Sequence, residues 1–325
     1  MTTRTQGDMG PTERTIFEQF SYWQAAIAPL PPAKESEVLV FVGCGTSYNV
    51  ALSLATIANA AGRSAIAAPG GEWLTRPQDY WPRWQKAHVI ALSRSGETTE
   101  TVAAAKASRA AGGYVTAITV EPGSALAGNC DRLVAAETHP LEGIVMTTSA
   151  SLMLLLGIQL IGHTVVPSLI DIANGLLGKV DAKLPGLVAS RSHFVYLGGG
   201  HHYGVALEGA LKLMEMSQIF TQGFHPLEYR HGPISLVDEQ TVAVMLYSAD
   251  QQDSESRLVR ELQDKGARVI GFGGPGDASF EVSCDPVLTG LACLPALQLL
   301  GERAAQARNI NTLVPRHLTK VVTLA

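Results

Sequence analysis

Glu208, Lys212 and Glu215 stand at i, i+4 and i+7 within residues 207–232, LEGALKLMEMSQIFTQGFHPLEYRHG, a spacing that puts two carboxylates and a lysine on one helix face. Ala206, Leu207, Ala210, Leu211, Leu213, Met214 and Met216 surround them. An exposed Glu208–Lys212 pair of the kind many solvated helices carry would have polar neighbours. Here the neighbours are apolar, so the charged stripe is expected to line a wet pocket. Desolvation moves a carboxylate's pKa towards neutrality, the condition for taking and returning a carbon-bound proton, and Glu215 is the candidate for that work. His231, in the loop YRHGP, has the chemistry of an acid or base near neutral pH. A lone loop histidine is as readily structural, as are His201, His202 and His225, and only partnership with Glu215 sets His231 apart. Lys320 reads by spacing alone as a solvated lysine.

Two further stretches suit an anion. Gly45-Thr46-Ser47 and Ser93-Arg94-Ser95-Gly96-Glu97-Thr98 each follow an apolar run and open a helical one. Backbone N–H groups at a helix N-terminus, with several hydroxyls, make a phosphate site. Ser47, Ser95 or Thr98 would serve equally as ordinary N-caps. Neither stretch matches GxxxxGK[ST] or GxGxxG, so a nucleotide site is not indicated.

The elements that must position these groups alternate. Apolar runs at 37–42, 64–68, 88–92, 114–120 and 131–135 read as strands, with helices at 48–61 and from Thr98 to Ala111, and a buried helix at 144–163. A connecting helix at 167–190 leads to a second round: a strand at 193–197, Gly198-Gly199-Gly200, the stripe-bearing helix, strands at 241–247, 268–272 and 285–288, and helices at 253–265 and 292–309. Strands alternating with helices imply mostly parallel sheets, here two of one topology, in an α/β fold. Residues 1–12 read as flexible, 15–29 as one packing helix, and 311–325 as an ordered tail.

Length and composition fit two domains: 325 residues, 46% hydrophobic and 16% charged. A net charge of −5, without a lysine or arginine run, leaves no electrostatic footprint for nucleic acid. Cys44, Cys130, Cys284 and Cys293 share no CxxC or metal-ligand spacing and read as small buried residues in a reduced, cytoplasmic setting. The N-terminus lacks the apolar core of a signal peptide, and the apolar stretch 144–166 is too interrupted for a membrane span. No metal and no cofactor are expected.

The motifs GCGTSYN (43–49), SRSGETTET (93–101), EGIVMTTSAS (142–151), ALEGALKLMEMS (206–217), LEYRHGP (227–233) and PRHLTK (315–320) together resemble the tandem sugar isomerase (SIS) domain family. That family includes the isomerase half of glucosamine-6-phosphate synthase and stand-alone sugar-phosphate deaminases and deglycases. The resemblance implies two three-layer SIS domains, at 35–166 and 192–310, with a helical arm at 1–34, a connecting helix at 167–191 and a tail at 311–325 that closes the site. It implies that Thr46, Ser47, Ser93, Ser95 and Thr98 hold the sugar phosphate, with Arg94 standing where the synthase has glutamine. By the same resemblance Glu215 is the base that moves a proton between C1 and C2, Lys212 its neighbour, His231 the ring opener and Lys320 a tail lysine reaching C2. Gly45, Val145, Thr147 and Glu208 are weaker sugar contacts. It further implies a homodimer with composite sites, His231 coming from the second copy.

Three departures bear on the substrate: no glutaminase domain or N-terminal catalytic cysteine is present in the sequence, Ser149 replaces a lysine, and the arm matches nothing placed. The expected activity is that of an amino-sugar-6-phosphate isomerase and deaminase. The alternatives are a fructosamine-6-phosphate deglycase and a non-catalytic sugar-phosphate sensor; the short, non-basic arm argues against the sensor.

Overall fold

β-Branched and small residues in short runs, each followed by a turn and a helix, give the chain its regular order. The computed structural model describes residues 9–323. In chain order the elements are α1 (Pro11–Phe17), α2 (Phe20–Ala26), β1 (Leu39–Gly43), α3 (Thr46–Ala60), β2 (Ala65–Pro69), α4 (Gly70–Thr75), α5 (Pro77–Tyr80), β3 (His88–Leu92), α6 (Thr99–Ala110), β4 (Tyr114–Thr119) and β5 (Arg132–Ala135). They continue as α7 (Thr148–Ile161), α8 (Ser168–Lys183), α9 (Pro185–Val188), β6 (His193–Gly198), α10 (His202–Ser217), β7 (Thr221–Phe224), β8 (Thr241–Leu246), α11 (Gln252–Asp264), β9 (Arg268–Phe272), β10 (Ala278–Phe280) and α12 (Thr289–Ala307).

Two compact units result. The first-sheet unit comprises Ser21–Pro140, Thr148–Val166 and the chain from Thr319; the second-sheet unit comprises the chain up to Phe20, Leu141–Thr147 and Pro167–Leu318. Each contains one five-stranded parallel sheet, in the orders β2-β1-β3-β4-β5 and β10-β9-β8-β6-β7. These are one topology, the 2-1-3-4-5 doubly wound order, whose chain direction reverses between its first and third strands.

In the first-sheet unit, Val40, Val42, Val89, Ala91, Val115 and Ala117 share a core with Trp73 of α4 and Val102 and Ala105 of α6. The alternate residues, Leu39, Phe41, Ile90 and Ile118, are as deeply buried and point to the other face, as strand alternation requires. Helices α3 and α7 pack together, and Gly157 of α7 leaves room for Leu54, whose Cδ1 would stand 2.3 Å from a Cβ there. In the second-sheet unit, Val195, Leu197, Ala243, Met245 and Val269 pack on Leu258, Val259 and Leu262 of α11. Gly209 of α10 meets the Tyr196 ring and Leu297 of α12. Each unit is thus a helix–sheet–helix sandwich, as the alternation implies.

Several local expectations are corrected. The 285–288 segment is a 3-10 turn, Pro286–Leu288, because Asp285 accepts the Val287 N–H with its side chain and Pro286 follows it. The fifth strand of that sheet is β10 instead. The 15–29 segment is two helices, α1 and α2, and α1 starts inside the stretch read as flexible, at Pro11 in the N1 position. Positions 1–8 of that stretch, and the tail's last two residues, lie outside the described residues. The connecting segment breaks at Pro185 into α8 and α9. Of the cysteines only Cys293 is buried; all four are free thiols. Among the described residues no helix is long and apolar enough to cross a membrane.

Candidate active site

The strand-to-helix turns of the first sheet carry the expected anion groups. Strand β1 enters α3 through Gly43, where a Cβ would lie 2.6 Å from the Ser47 carbonyl carbon, and Gly45, with φ 55° and ψ −124°. Only glycine adopts that pairing readily, so Thr46 and Ser47 open the helix buried. Ser47 lies against Met153, Oγ to Sδ 4.0 Å. After β3, the loop 93–98 folds on itself: the Gly96 N–H donates to Ser93 Oγ (3.1 Å), which is 3.3 Å from Thr98 Oγ1, and the Glu97 N–H donates to Ser95 Oγ (3.2 Å). Neither α3 nor α6 has a side-chain capping bond, although Thr98 occupies the N-cap position of α6. The Thr98 hydroxyl is therefore not spent on capping α6. Strands β1 and β3 flank the reversal point of their sheet, where ligands bind in open α/β folds.

Arg94 is buried in this loop. Its carbonyl accepts the Thr119 hydroxyl (3.0 Å) and the Val120 N–H (3.3 Å), and its Nη2 donates to the Lys320 carbonyl at 2.8 Å. The Lys320 side chain is exposed.

The charged stripe of α10 is largely withdrawn from bulk water. Lys212 is enclosed, its Nζ 3.5 Å from Glu208 Oε1 and hydrogen-bonded to Glu215 Oε2. Glu208 and Lys212 side chains are each 1% exposed, whereas Glu215 is 20% exposed. One buried cation is shared by two carboxylates, and Glu215 is the one a ligand can reach. Met214 alone among the apolar neighbours is exposed. Helix α12 approaches closely at Gly301, where a Cβ would stand 3.0 Å from the Lys212 carbonyl oxygen and 2.9 Å from Met216 Sδ. The helix ends at Gln218 in a left-handed conformation, its N–H donating to the Met214 carbonyl.

His231 follows the 3-10 turn Glu228–Arg230, which buried Tyr229 and the 2.9 Å Arg230–Glu261 ion pair hold in place. Its side chain is exposed and makes no hydrogen bond or ion pair with another described residue, so no such bond joins it to Glu215 in the same chain.

Val145 and Thr147 lie in the 141–147 segment, both buried. The Thr147 N–H (2.6 Å) and hydroxyl (3.0 Å) donate to Glu142 Oε1, the hydroxyl also lies 2.7 Å from Thr15 Oγ1 of α1, and Gln298 Nε2 donates to the Thr147 carbonyl. Glu142 thus shapes this segment, a role the sequence reading missed; its only signal was its place at the head of EGIVMTTSAS. Among the described residues no group of three or more His, Cys, Asp or Glu side chains is placed to hold a metal ion.

The SIS domain pattern matches residues 34–161 and 187–288, one match on each sheet. The chain superimposes on a glucosamine-6-phosphate deaminase from Thermotoga maritima with a TM-score of 0.86 at 30% identity, covering 97% of this chain and 100% of that one. An Escherichia coli tagatose-6-phosphate ketose/aldose isomerase shares the fold, with a TM-score of 0.79 at 23% identity over 95% of each chain. The glutamine–fructose-6-phosphate aminotransferase (isomerizing) of Sulfurisphaera tokodaii is 26% identical over 308 residues, covering 90% of this chain and 51% of the relative. That of Pyrobaculum aerophilum is 29% identical over 346 residues, covering 96% and 57%. The chain therefore spans about half the length of these curated relatives. With a doubly matched pattern, two sheets of one order and a 30% identical structural relative along its whole length, the chain belongs to the SIS domain family.

Proposed function

We propose that the protein is a phosphosugar isomerase that also releases ammonia, converting an amino-sugar 6-phosphate to a ketose phosphate. The observation that carries this reading is the enclosed Lys212 between Glu208 and the partly exposed Glu215. A base fixed by a buried cation and open on one side suits reversible removal of a proton from carbon. The likeness to the Thermotoga deaminase adds the amino sugar.

In this reading the hydroxyls of Thr46, Ser47, Ser93, Ser95 and Thr98 and the Arg94 guanidinium anchor the phosphate. His231 moves the O1 proton to the ring oxygen and opens the sugar. Glu215 takes the C2 proton and returns it to C1, which turns the open-chain amino aldose into a C2 imine. Water adds at C2 and the C–N bond breaks, leaving the ketose and ammonia. Lys212 holds Glu215 in place, and Lys320 offsets charge near C2. Gly45, Glu208 and the 145–147 backbone shape the sugar pocket. The exposed, unengaged His231 supports its use by a second copy of the chain in a homodimer.

The test is a panel of hexosamine 6-phosphates and a fructoselysine phosphate, scored for released ammonia and amine. Ammonia release from one hexosamine phosphate is expected, with Glu215→Gln lowering kcat about 10²–10⁴-fold. Full activity in Glu215→Gln would sink the proposal, and amine release from the fructoselysine phosphate alone would replace it with a deglycase.

A further inference from the structure

The contact between Arg94 and Lys320 spans 226 positions of sequence within the first-sheet unit. Arg94 stands inside the hydroxyl-rich loop, and its backbone is fixed to the end of β4 by the Thr119 hydroxyl and the Val120 N–H. Its planar guanidinium is therefore carried on a rigid base, and one arm of that fork reaches the Lys320 carbonyl at 2.8 Å. The tail at this point is locally turned, the Thr319 hydroxyl donating to the Val321 carbonyl.

We propose that Arg94 is a positioning residue: by binding the Lys320 carbonyl it ties the C-terminal tail to the phosphate loop and fixes where the Lys320 ammonium can reach. The role given to Lys320 rests on the function proposed above; the tether itself does not. A charged donor on a carbonyl makes a stronger bond than a neutral amide. A glutamine at 94 would be uncharged and lack the fork, and a lysine would keep the charge without the fork. A polar residue in the loop would thereby set the order of the tail.

Trypsin tests the tether directly, because the carbonyl that Arg94 holds is the one trypsin attacks when it cleaves after Lys320. The full-length, ligand-free protein and its Arg94→Gln and Arg94→Lys variants are digested briefly and read by mass spectrometry. Loss of one charge-assisted bond is expected to speed release of residues 321–325 about tenfold or more in Arg94→Gln, with an intermediate rate in Arg94→Lys. Cleavage after Arg109, in the folded body, is expected to keep its wild-type rate. Equal release at Lys320 in wild type and Arg94→Gln would overturn the tether, as would equal acceleration at every site.

Turnover tests the coupling to Lys320. If Arg94 acts through the tail as well as on the phosphate, Arg94→Gln lowers kcat in the wild-type background and costs clearly less in the Lys320→Met background. An equal penalty in both backgrounds would make Arg94 a phosphate contact only and overturn the positioning role. Absence of any phosphosugar turnover by the wild type would strike the function proposal alone, and the trypsin rates would still decide the tether.

Discussion

The two sheets have the same strand order and put different chemistry at the same place. In the first, the turns after β1 and β3 present Thr46, Ser47, Ser93, Ser95 and Thr98, with no side chain capping the helices that follow. In the second, the corresponding turns after β6 and β8 carry Gly198-Gly199-Gly200 and Ser248. Gly200 repeats the left-handed φ of 55° found at Gly45. There the chain supplies its own anion: the buried Glu255 carboxylate accepts the Ser248 N–H at 2.8 Å and lies 3.6 Å from where a Gly199 Cβ would stand. Burial pushes the Glu255 carboxyl up from its usual range, against the pull of its Ser248 hydrogen bonds. The first helices differ in the same way. Helix α3 carries no charged residue and offers its N-terminus; α10 offers the Lys212 and Glu215 face near its C-terminal end. Topology sets where a site can form, and the side chains decide whether that place is lined by hydroxyls or filled by an internal carboxylate.

That contrast can be broken most severely at Lys212. Lys212→Met leaves two carboxylates facing each other without their cation, and should destabilise the protein by about 3–5 kcal/mol in urea unfolding. A loss under about 1 kcal/mol would mean that the stripe is solvated like an ordinary helix surface.

Acid should weaken both units through histidines buried without charge, His88 in the first and His202 in the second. Burial holds His88 at about 4 and His202 at about 3, below the 6.5 of the unfolded chain. The unfolded chain thus binds more protons between these values, so stability is complete above pH 6.5 and is lost as pH falls towards 4. Each group contributes a slope of about 1.4 kcal/mol per pH unit in that window. His88→Gln should flatten the measured slope by about that amount; an unchanged slope would place the acid sensitivity outside the first unit.

Glu255→Ala strips the Ser248 N–H of its acceptor and should cost about 1–3 kcal/mol of stability while leaving KM for the phosphosugar unchanged. A raised KM would show that the second reversal point also serves the ligand. The smallest effect is expected at Ser93→Ala, where one hydroxyl leaves the loop proposed to hold phosphate: KM should rise several-fold, about 1 kcal/mol, and loss of the Gly96 N–H acceptor should lower stability by about 1 kcal/mol. An unchanged KM would remove this turn from the phosphate site.

Much of the fold was legible because most strands are short continuous apolar runs followed by glycine-containing turns, as at β1, β3 and β6. What was missed lacks that signal. Strand β7, Thr221-Gln222-Gly223-Phe224, is short and half polar, and it is a strand because β6 supplies its hydrogen bonds. Strand β10 has only three residues, Ala278-Ser279-Phe280, whereas the 285–288 segment ends in Val287-Leu288 like a strand but begins with a capping aspartate and a proline. The arm divides at Glu18 and Gln19 because Gln19 turns inward to Gln298 of α12, a contact 279 positions away that periodicity cannot register. In the site, the Glu208–Lys212–Glu215 stripe was readable because its spacing and its apolar surroundings are local. The Arg94–Lys320 bond and the Thr15–Thr147–Glu142 cluster join distant segments, so only the folded chain shows them.

The close approach of α12 to α10 also bears on how this sequence can drift. A single methyl at Gly301 would press on the Lys212 carbonyl and Met216 and displace α10 by a few tenths of an ångström. Position 301 is therefore a narrow gate in sequence space: any side chain added at this one glycine presses on α10 from the far side of a helix.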